Sequence, residues 1–549
     1  MGAVQSSAKK AVLASKAFRD LNEQLGILMK RLSSRPGYPS KNPTRTYWKD
    51  DPPFPDLVNV KMKPPSNRAE VVIIGSGITA AAVAWSYLNE CSRSGIWRRI
   101  IVLESRDLCG GATSRGGGHM KILPHEQFDE LRRSFGVKRA VEIIRFQLSH
   151  IKLLIDLCEV YGWETAECRE VETVDYFLTD EERDSAFEKV EEVEKHIPEL
   201  HYEKYEAREA QQTFKVNTNV KGAMSYRAGA IHPYRFVSCV WNQLLAQYKD
   251  YLYIRTDATV MNVIAPKGLP YAFEVIVDEL DYNIFQCDHV VHATNAFATE
   301  LVTGLRGKLT GILGTAAMMK PGKLYEAAQG VKSWYLFYGH SYDYAMQRPT
   351  VKGVQGDVVF GGGFSRSEGQ GASMLGVWDE SRMDPLPLAH LRGIHPTIFP
   401  LTGDQLPFVG RLHPDLTGRK PHLKENIFTP HQPSEWICAG YNGDGLMLAW
   451  LCGTALGVML TNREHVNVPE SPGRPGGTLS SWFPTELRPS RKRVHKATLT
   501  NLGRRFFWAL LSRRSVEPLS DLDLDTPPIV PSLGWQPHGD IPPFGSSHT

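Results

Sequence analysis

The chain has 549 residues, of which 42% are hydrophobic and 22% are charged, and its formal net charge is +3. This length is enough for one large two-lobed core with appended segments, and the small net charge gives no overall reason to expect a nucleic-acid partner. The eight cysteines form neither a C-x-x-C pair nor a repeated spacing. The sequence therefore indicates no metal site and no disulfide framework, and a reducing compartment is the simpler interpretation.

Residues 1–32 are predicted to form an amphipathic N-terminal helix. The start, Met1-Gly2-Ala3-Val4-Gln5-Ser6, matches the pattern for myristoylation of Gly2, and the lysines behind it would add to peripheral membrane contact. A mitochondrial presequence, or a helix that packs on the body, fits the same residues. We expect a cytoplasmic protein, with peripheral membrane binding and a mitochondrial location as open alternatives.

A proline-rich arm follows from residue 33 to residue 67 and lacks periodicity. It contains Asn42-Pro43-Thr44-Arg45-Thr46-Tyr47-Trp48. We interpret the Tyr47-Trp48 pair as a packing anchor rather than as a substrate contact.

A nucleotide-binding βαβ unit is predicted next. It consists of an apolar strand (71–74), the turn Gly75-x-Gly77-x-x-Ala80, a helix rich in alanine, and a second apolar strand (100–103) that ends at Glu104. Gly75 allows a sharp turn, Gly77 leaves room for a pyrophosphate, and Ala80 lets the helix pack closely. The phosphates would meet the positive end of the helix. Glu104 would accept hydrogen bonds from the ribose hydroxyls and would repel a 2′-phosphate, which disfavours NADP.

A second glycine-rich loop, GGATSRGGGH over residues 110–119, distinguishes between dinucleotides. It is too long for an NAD domain that continues directly into its next helix. Such a loop suits a cofactor that extends across the sheet edge, which favours FAD. An NAD-dependent dehydrogenase would require this loop and the later turn at 436–447 to be coincidental.

These motifs resemble those of the FAD-dependent oxidoreductases of the D-amino-acid oxidase superfamily. The resemblance is strongest to the branch of glutamylputrescine-oxidase-like and fungal DadA-like proteins, to which the 42–48 element is also similar. This chain has Gly116 where that branch often has Asn. Some relatives attach flavin to a cysteine, but none lies between Cys287 and Cys438, so noncovalent FAD is expected. The strand 358–361 lacks the oxygen-activating lysine of some relatives, which leaves oxidase and dehydrogenase open, with oxidase favoured by analogy.

The remaining elements are consistent with this interpretation. We predict helical structure over 126–161, a strand over 173–177, a charged helix over 180–196, and a helix entered at His232-Pro233, where His232 would act as a cap. By resemblance, Val260 lies at the adenine end and Thr294-Asn295 lies beside the cofactor. Strands at 316–319, 334–338, 344–347 and 358–361 would form the sheet over the flavin ring.

Tyr344 and Arg348 are the preferred substrate contacts, because an arginine can hold a carboxylate through two parallel hydrogen bonds. Solvent-facing strand residues remain the alternative for both. His119 is the titratable residue expected near the ring, and holding the glycine loop is its alternative role. Tyr338, His340 and Tyr342 are further polar or aromatic residues expected near the substrate.

After the substrate-domain strands, the chain is predicted to return to the cofactor over 401–410. It meets the cofactor again at 436–447, where a strand, a glycine turn and a helix follow one another. The positive end of that helix would face the flavin. The apolar run 446–460 is too short to span a bilayer and indicates a buried helix. The basic segment 488–496 is a candidate for nuclear localisation or for contact with an anionic surface. The segment 499–514, with apolar residues among four arginines, is a candidate for contact with a membrane or with a partner. A surface-tracing tail would follow.

The predicted fold is α/β: a Rossmann-like FAD-binding domain of the GR2 type with a second α+β substrate domain on a mixed, largely antiparallel sheet. The chain is predicted to enter the FAD-binding domain three times, over 68–125, 229–305 and 401–462. The other predicted segments are 1–32 (amphipathic helix), 33–67 (arm), 126–228 (helical region and start of the substrate domain), 306–400 (substrate domain) and 463–549 (C-terminal extension).

The predicted function is oxidation of a C–N bond of an amine or amino acid by hydride transfer to flavin N5, followed by imine hydrolysis, with oxygen or another electron acceptor. A flavoprotein without turnover that acts as a membrane-associated binding protein is the alternative. The predicted catalytic residues are His119, Tyr344 and Arg348. The predicted cofactor-binding residues are Gly75, Gly77, Ile78, Thr79, Ala80, Glu104, Ser105, Arg106, Gly111, Ala112, Thr113, Ser114, Gly117, Gly118, His119, Val260, Thr294, Asn295, Gly440, Asn442, Gly443, Gly445, Leu446 and Met447.

Overall fold

The computed structural model of the chain describes residue 19 and residues 22–278, 283–322, 330–339, 341–391, 396–421 and 432–500. The predicted myristoylation segment, most of the first twenty-one residues of the predicted N-terminal helix, His340 and residues 501–514 of the second basic segment lie outside the described residues.

The strands of the described residues, in chain order, are β1 Arg68–Ile74, β2 Ile100–Leu103, β3 His119–Met120, β4 Arg169–Phe177, β5 Glu203–Glu206, β6 Gly222–Ala230, β7 Leu252–Arg255, β8 Val260–Ile264, β9 Phe273–Val277, β10 Ile284–His292, β11 Leu309–Met319, β12 Lys332–Tyr338, β13 Ser341–Gln347, β14 Val358–Gly362, β15 Pro396–Thr402, β16 Phe408–Arg411 and β17 Ser434–Ala439.

The helices are α1 (residues 22–32), α2 Ile78–Ser94, α3 Pro124–Phe135, α4 Val137–Val160, α5 Asp180–His196, α6 Ala207–Phe214, α7 Pro233–Gln247, α8 Pro385–Leu391, α9 Pro414–Thr417, α10 Ala449–Leu460, α11 Leu479–Trp482 and α12 Arg491–Lys496. None of the helices described is both long enough and apolar enough to cross a membrane.

The first sheet has the order β16-β17-β10-β1-β2-β7, and the β8–β9 pair joins it at the beginning of β10. Strands β17, β10, β1, β2 and β7 run parallel. The strand residues 71–74 and 100–103 are all buried. Continuous apolar runs are typical of parallel strands covered on both faces, which explains why these segments do not alternate.

Helices α2 and α10 pack together on one face of this sheet, and small residues allow their close approach. A Cβ on Gly453 would lie only 2.6 Å from the Cβ of Ala82. Every residue of α10 is buried, so the prediction of a buried helix over this apolar run is confirmed.

The second sheet has nine strands in the order β15-β11-β14-β13-β12-β4-β6-β3, with β5 beside β6. Only β12 and β4 pair in parallel, and the other pairs of this sheet are antiparallel. The predicted fold class, a Rossmann-like domain with a second domain on a mixed sheet, is confirmed.

One predicted element is divided in the structure. The helical region expected over 126–161 consists of α3 and α4, separated at Gly136, which has a φ of +84°. A left-handed residue cannot continue a right-handed helix, so the chain changes direction there.

The predicted cap at the entrance to α7 is confirmed. The imidazole of His232 accepts a hydrogen bond from the backbone N–H of Arg235 at 3.3 Å, and the side chain is buried.

The basic segment 488–496 packs against the body of the protein. Arg493 binds the carboxylate of Asp404 with Nε at 2.7 Å, and Arg488 and Arg491 form ion pairs with Glu464 and Asp415. These arginines are therefore engaged with acidic partners inside the chain.

The proline-rich arm lies across the molecule and binds residues far along the chain. Its contacts are Arg35 with Glu300, the Tyr38 hydroxyl with the carbonyl of Met261 at 3.0 Å, the Thr44 N–H with the carbonyl of Glu380 at 3.2 Å, and the Tyr47 hydroxyl with Asp357 at 2.5 Å.

Candidate active site

A cavity of about 670 Å³ lies between the two sheets. It begins at the carboxyl ends of β1, β2 and β10 and extends to an aromatic surface on β12 and β13. Ligands bind at the carboxyl ends of strands in open α/β sheets, so this is the expected position for a nucleotide. Twenty of the predicted cofactor-binding residues line this cavity: Gly75, Gly77, Ile78, Thr79, Glu104, Ser105, Arg106, Gly111, Ala112, Thr113, Gly117, His119, Val260, Thr294, Asn295, Asn442, Gly443, Gly445, Leu446 and Met447.

The first glycine turn is closely packed behind the cavity. Gly75 has a φ of +104°, and a Cβ there would lie 2.8 Å from the carbonyl oxygen of Ala293. A Cβ on Gly77 would lie 2.9 Å from Oγ1 of Thr113, which also accepts a hydrogen bond from the N–H of Ile78 at 3.2 Å. Helix α2 starts here without a side-chain cap, so its N-terminal end suits a phosphate.

Glu104 is buried at the end of β2 and is held by four donors. Oε2 accepts from the N–H and the hydroxyl of Ser76 at 3.0 and 2.7 Å. Oε1 accepts from the N–H of Arg106 at 3.1 Å and from the hydroxyl of Ser105 at 3.2 Å. A carboxylate has about four lone-pair positions. Ribose hydroxyls would therefore bind here by replacing the two serine hydroxyls.

The arm fixes the second glycine loop from behind. Residues Ala112–Arg115 form a 3₁₀ turn, and the carbonyl of Ser114 accepts a hydrogen bond from the hydroxyl of Thr46. The indole N–H of Trp48 donates to the carbonyl of Gly116 at 2.6 Å. Trp48 is buried, which confirms its predicted role as a packing anchor.

Four predicted cofactor contacts do not line the cavity. Ala80 is fully buried in α2, and Ser114 is buried in the 3₁₀ turn. A Cβ on Gly118 would lie 2.6 Å from the carbonyl oxygen of Ile231, and one on Gly440 would lie 2.5 Å from Cγ2 of Thr402. These residues therefore support the wall of the cavity through close packing.

Arg348 is predicted from sequence to hold a substrate carboxylate, but the structure places it outside the cavity. Its guanidinium forms an ion pair with Glu167, with Nε at 3.0 Å from Oε2, and donates to the hydroxyl of Tyr47 at 2.5 Å. The guanidinium is thus occupied by Glu167 and Tyr47 and does not line the cavity, so the structure does not support Arg348 as a substrate contact. Tyr338, another candidate, donates to Asp343 at 2.9 Å and does not line the cavity.

Tyr344 lies at the aromatic end of the cavity and has a fixed ring position. A Cβ on Gly117 would lie 2.3 Å from its Cε2, and a Cβ on Gly361 would lie 2.1 Å from its Cζ. The two glycines therefore provide the space for the ring. Burial raises the pKa of Tyr344 to about 12, so the phenol is neutral at physiological pH.

His119 also lines the cavity, at the beginning of β3. Its Nε2 lies 2.8 Å from the hydroxyl of Ser333, and its Nδ1 is buried without a hydrogen-bond partner in the protein. Burial, together with the nearby ammonium of Lys121, holds the pKa of His119 well below its usual range. The imidazole is neutral, and one ring nitrogen is available to a ligand.

Lys121 also lines the cavity, and the sequence does not predict this position. This buried lysine forms an ion pair with buried Asp175 and donates to the hydroxyl of Thr173 at 3.1 Å. Its ammonium lies 3.5 Å from the ring centre of Tyr335. Burial lowers the pKa of Lys121 to about 8. The available signal was its place two residues after His119, just beyond the end of β3, because residues two apart share a face where the chain is extended.

Two further cavity residues, Tyr335 and Asp444, were also missed. The rings of Tyr335 and Tyr342 stack with centres 4.8 Å apart and planes 7° apart. Asp444 lies in the glycine turn before α10 and accepts a hydrogen bond from Nε2 of Gln127 at 3.3 Å. Burial raises the pKa of Asp444 to about 7.

Several buried polar atoms around the cavity lack partners in the protein: Nδ1 of His119, Oγ1 of Thr294 and Oγ1 of Thr315. Buried polar groups are normally hydrogen-bonded, so these atoms indicate a polar ligand. Together with the glycine turn and the open helix end, they fit a dinucleotide that extends along the cavity.

Comparison with known proteins agrees with this geometry. Residues 70–458 match the family model described as DAO, FAD dependent oxidoreductase. No curated protein sequence is significantly similar to this chain.

Solved structures share the fold at low sequence identity. L-amino acid deaminase from Proteus myxofaciens, in complex with anthranilate, has a TM-score of 0.53 and 14% identity over 82% of this chain and 98% of its own. Glycine oxidase from Geobacillus kaustophilus has a TM-score of 0.51 and 16% identity over 78% and 99%. Iminodiacetate oxidase from Chelativorans sp. BNC1 has a TM-score of 0.51 and 16% identity over 72% and 95%.

The family match covers more than half of the chain, and it includes both glycine loops, β10 and the turn before α10. The chain therefore belongs to the DAO family of FAD-dependent oxidoreductases, and FAD is its cofactor.

Proposed function

We propose that this protein binds FAD noncovalently and oxidises a C–N bond of an amine or amino acid, giving an imine that water hydrolyses. The observation that carries the proposal is one continuous cavity. At one end it has a nucleotide cradle and at the other an aromatic surface with titratable groups. When bound, FAD accepts the two electrons and the hydrogen that leave the carbon bearing nitrogen.

The residues at the two ends of the cavity have different proposed roles, and those at the first end would bind the cofactor. We infer that Gly75, Gly77 and the start of α2 hold the pyrophosphate, and that Glu104 holds the ribose. Thr294 and His119 supply polar atoms with no other partner. The cysteines of the chain are free, and none lines the cavity, which supports noncovalent attachment.

The aromatic end would bind and orient the substrate. Tyr344 is held between two glycines, so its ring can act as a fixed wall. Tyr335 and Tyr342 extend this wall. Hydride loss requires a neutral amine, and an environment of buried rings lowers the pKa of a bound ammonium.

The neighbours in structure suggest which compounds to screen, because their names specify glycine, iminodiacetate and L-amino acids. The assignment to the branch of glutamylputrescine-oxidase-like and fungal DadA-like proteins stays a prediction, supported by the motifs at 42–48 and 110–119.

The test begins with the visible spectrum of the purified protein, followed by anaerobic addition of amines and amino acids. We expect a two-peaked flavin spectrum that bleaches with at least one compound and a flavin that stays in solution after acid precipitation. Oxygen and an artificial acceptor are then compared to separate oxidase from dehydrogenase.

The variant Gly75→Val, which fills the space before the carbonyl of Ala293, should be colourless. A colourless wild-type protein that takes up no added FAD would refute the cofactor assignment. A yellow protein that none of these compounds bleaches would refute amine oxidation and favour the alternative of a binding protein.

A further inference from the structure

We infer that Asp444 is the group that binds the ammonium of a cationic substrate and then takes one proton from it. This inference rests on the proposed function and narrows its substrate class to compounds that enter as ammonium ions and are recognised through that charge.

The first reason is the position of the carboxylate. Asp444 lines the aromatic end of the cavity, and Gln127 is its side-chain partner. Its negative charge contributes to the raised pKa values of Tyr335 and Tyr342, second to burial for Tyr342. The carboxylate is thus close to the stacked rings.

The second reason is the absence of a protein cation for this carboxylate. Among the described residues, no lysine, arginine or histidine forms an ion pair with Asp444. Lys121 is the cationic residue at this end of the cavity, and its ammonium is paired with Asp175. A half-buried carboxylate with one amide partner is poorly compensated, so a cationic ligand would complete the site.

The third reason is the aromatic surface beside it. The stacked rings of Tyr335 and Tyr342 border the cavity, and Tyr342 keeps 42% of its surface accessible. Aromatic faces attract ammonium groups, and the ammonium of Lys121 already occupies one face of Tyr335. A carboxylate together with aromatic rings is the chemistry that recognises an organic ammonium rather than a carboxylate.

The groups packed around this turn permit proton transfer to Asp444. Helix α3 contributes the neutral amide of Gln127, and α4 contributes His150, whose pKa burial lowers to about 4. Strand β3 contributes His119, which is neutral through burial, and Lys121 just after that strand is paired with Asp175. The nearby tyrosines are neutral, and Lys121, whose pKa burial lowers to about 8, is paired with Asp175. Asp444, with a pKa of about 7 and no ion pair among the described residues, is therefore the group that ionises near neutral pH.

The proton transfer involves only the substrate ammonium and the carboxylate of Asp444. One N–H bond of the ammonium breaks, and its electron pair stays on nitrogen. The proton forms an O–H bond with the carboxylate, and nothing is oxidised or reduced. The product is a neutral amine, the form that can lose hydride.

Binding is tested on the FAD-loaded protein with two probes of the same shape. Tert-butylammonium has no hydrogen on the carbon bearing nitrogen and cannot be oxidised, and pivalate is its carboxylate counterpart. We expect tert-butylammonium to perturb the flavin absorption at pH 8 with at least tenfold higher affinity than pivalate. Asp444→Asn should lose that preference. Asp156→Asn, on the exposed face of α4, should keep it.

The aromatic surface is tested with Tyr335→Phe and Tyr335→Leu. The first keeps the ring and should keep binding of tert-butylammonium, whereas the second should weaken it severalfold. Tighter binding of pivalate, or equal binding of both probes to wild type and Asp444→Asn, would overturn the inference. Loss of FAD from Asp444→Asn, with the ammonium preference unchanged at saturating FAD, would overturn it as well.

Proton transfer is tested by the pH dependence of kcat/KM with an amine found in the screen. We expect kcat/KM of wild type to rise as pH increases through about 7, where Asp444 ionises. Asp444→Asn should lower kcat/KM by about 10²–10⁴-fold and remove that rise, and Asp444→Glu should retain it. An unchanged profile in Asp444→Asn would overturn the role of base. If no amine reduces the wild-type flavin, the proposed function fails, while the probe experiment still tests Asp444.

Discussion

Replacement of Lys121 by methionine should cost much more stability than its position beside a cavity suggests. The change removes the ammonium and leaves the carboxylate of Asp175, which is fully buried, with the Tyr226 hydroxyl at 2.8 Å as its remaining partner. Breaking a buried ion pair by removing one partner costs about 3–5 kcal/mol. The contact of the Lys121 ammonium with the ring of Tyr335 is lost too.

A compensated variant separates loss of the pair from loss of packing. In Lys121→Met/Asp175→Leu/Tyr226→Phe, no charge is left unpaired, and the Thr173 hydroxyl loses its bond from Lys121. Buried pairs replaced by apolar residues of similar volume are often neutral or stabilising, so this variant should lie within about 2 kcal/mol of wild type.

The assay is urea-induced unfolding followed by tryptophan fluorescence at one fixed concentration of free FAD, because a ligand adds to apparent stability. Lys152→Met is the matched control: this lysine pairs with Asp156 on the surface, with 81% of its side chain exposed, and its loss should cost under about 0.5 kcal/mol. A cost for Lys121→Met no larger than that of the control, or a compensated variant as unstable as Lys121→Met, would refute the reasoning.

Three further predictions concern Gly75 in the first glycine turn, Arg348 outside the cavity and Asp444 inside it. Gly75→Ala forces a side chain into a positive-φ position 2.8 Å from a carbonyl oxygen and should weaken FAD binding at least tenfold in a titration of the apoprotein; unchanged affinity would contradict this. Arg348→Met should lower the unfolding midpoint, because it removes one of the two arginines that pair with Glu167, and should change KM for any substrate less than twofold; a large rise in KM would restore the substrate role. Burial raises the pKa of Asp444 from 3.8 to about 7, so the ionised carboxylate costs stability that is absent below pH 3.8 and grows as pH rises to 7. The unfolding midpoint of apo Asp444→Asn should accordingly exceed that of wild type at pH 8 and match it at pH 3.5, and equal midpoints at both pH values would contradict the shift.

The regions of the fold that the sequence predicts well are those with strong local signals. The glycine turn between two apolar runs predicts β1, α2 and β2, since the spacing and the apolar pattern both require a parallel strand pair. Gly136 was not recognised as a helix end, because the apolar spacing continues through α3 and α4 while only the backbone changes direction.

The site was predicted incompletely, because side-chain positions on the second sheet depend on strand pairing. Tyr344 reaches the cavity because it pairs with Gly361 across β13 and β14. Arg348 lies beyond the end of that pairing. Asp175 and Lys121 lie 54 residues apart in sequence, so nothing local indicates that one neutralises the other.

The arm also has a consequence for biosynthesis. It is translated before the glycine loop that it covers, but its partner Glu380 lies 336 residues after Thr44. At about 5–20 residues per second, roughly 20–70 s pass before that contact can form. The contacts of the arm with the glycine loop, Thr46 with Ser114 and Trp48 with Gly116, span only 68 residues and can form much earlier. The arm can therefore be anchored at the loop long before its contact with Glu380 completes.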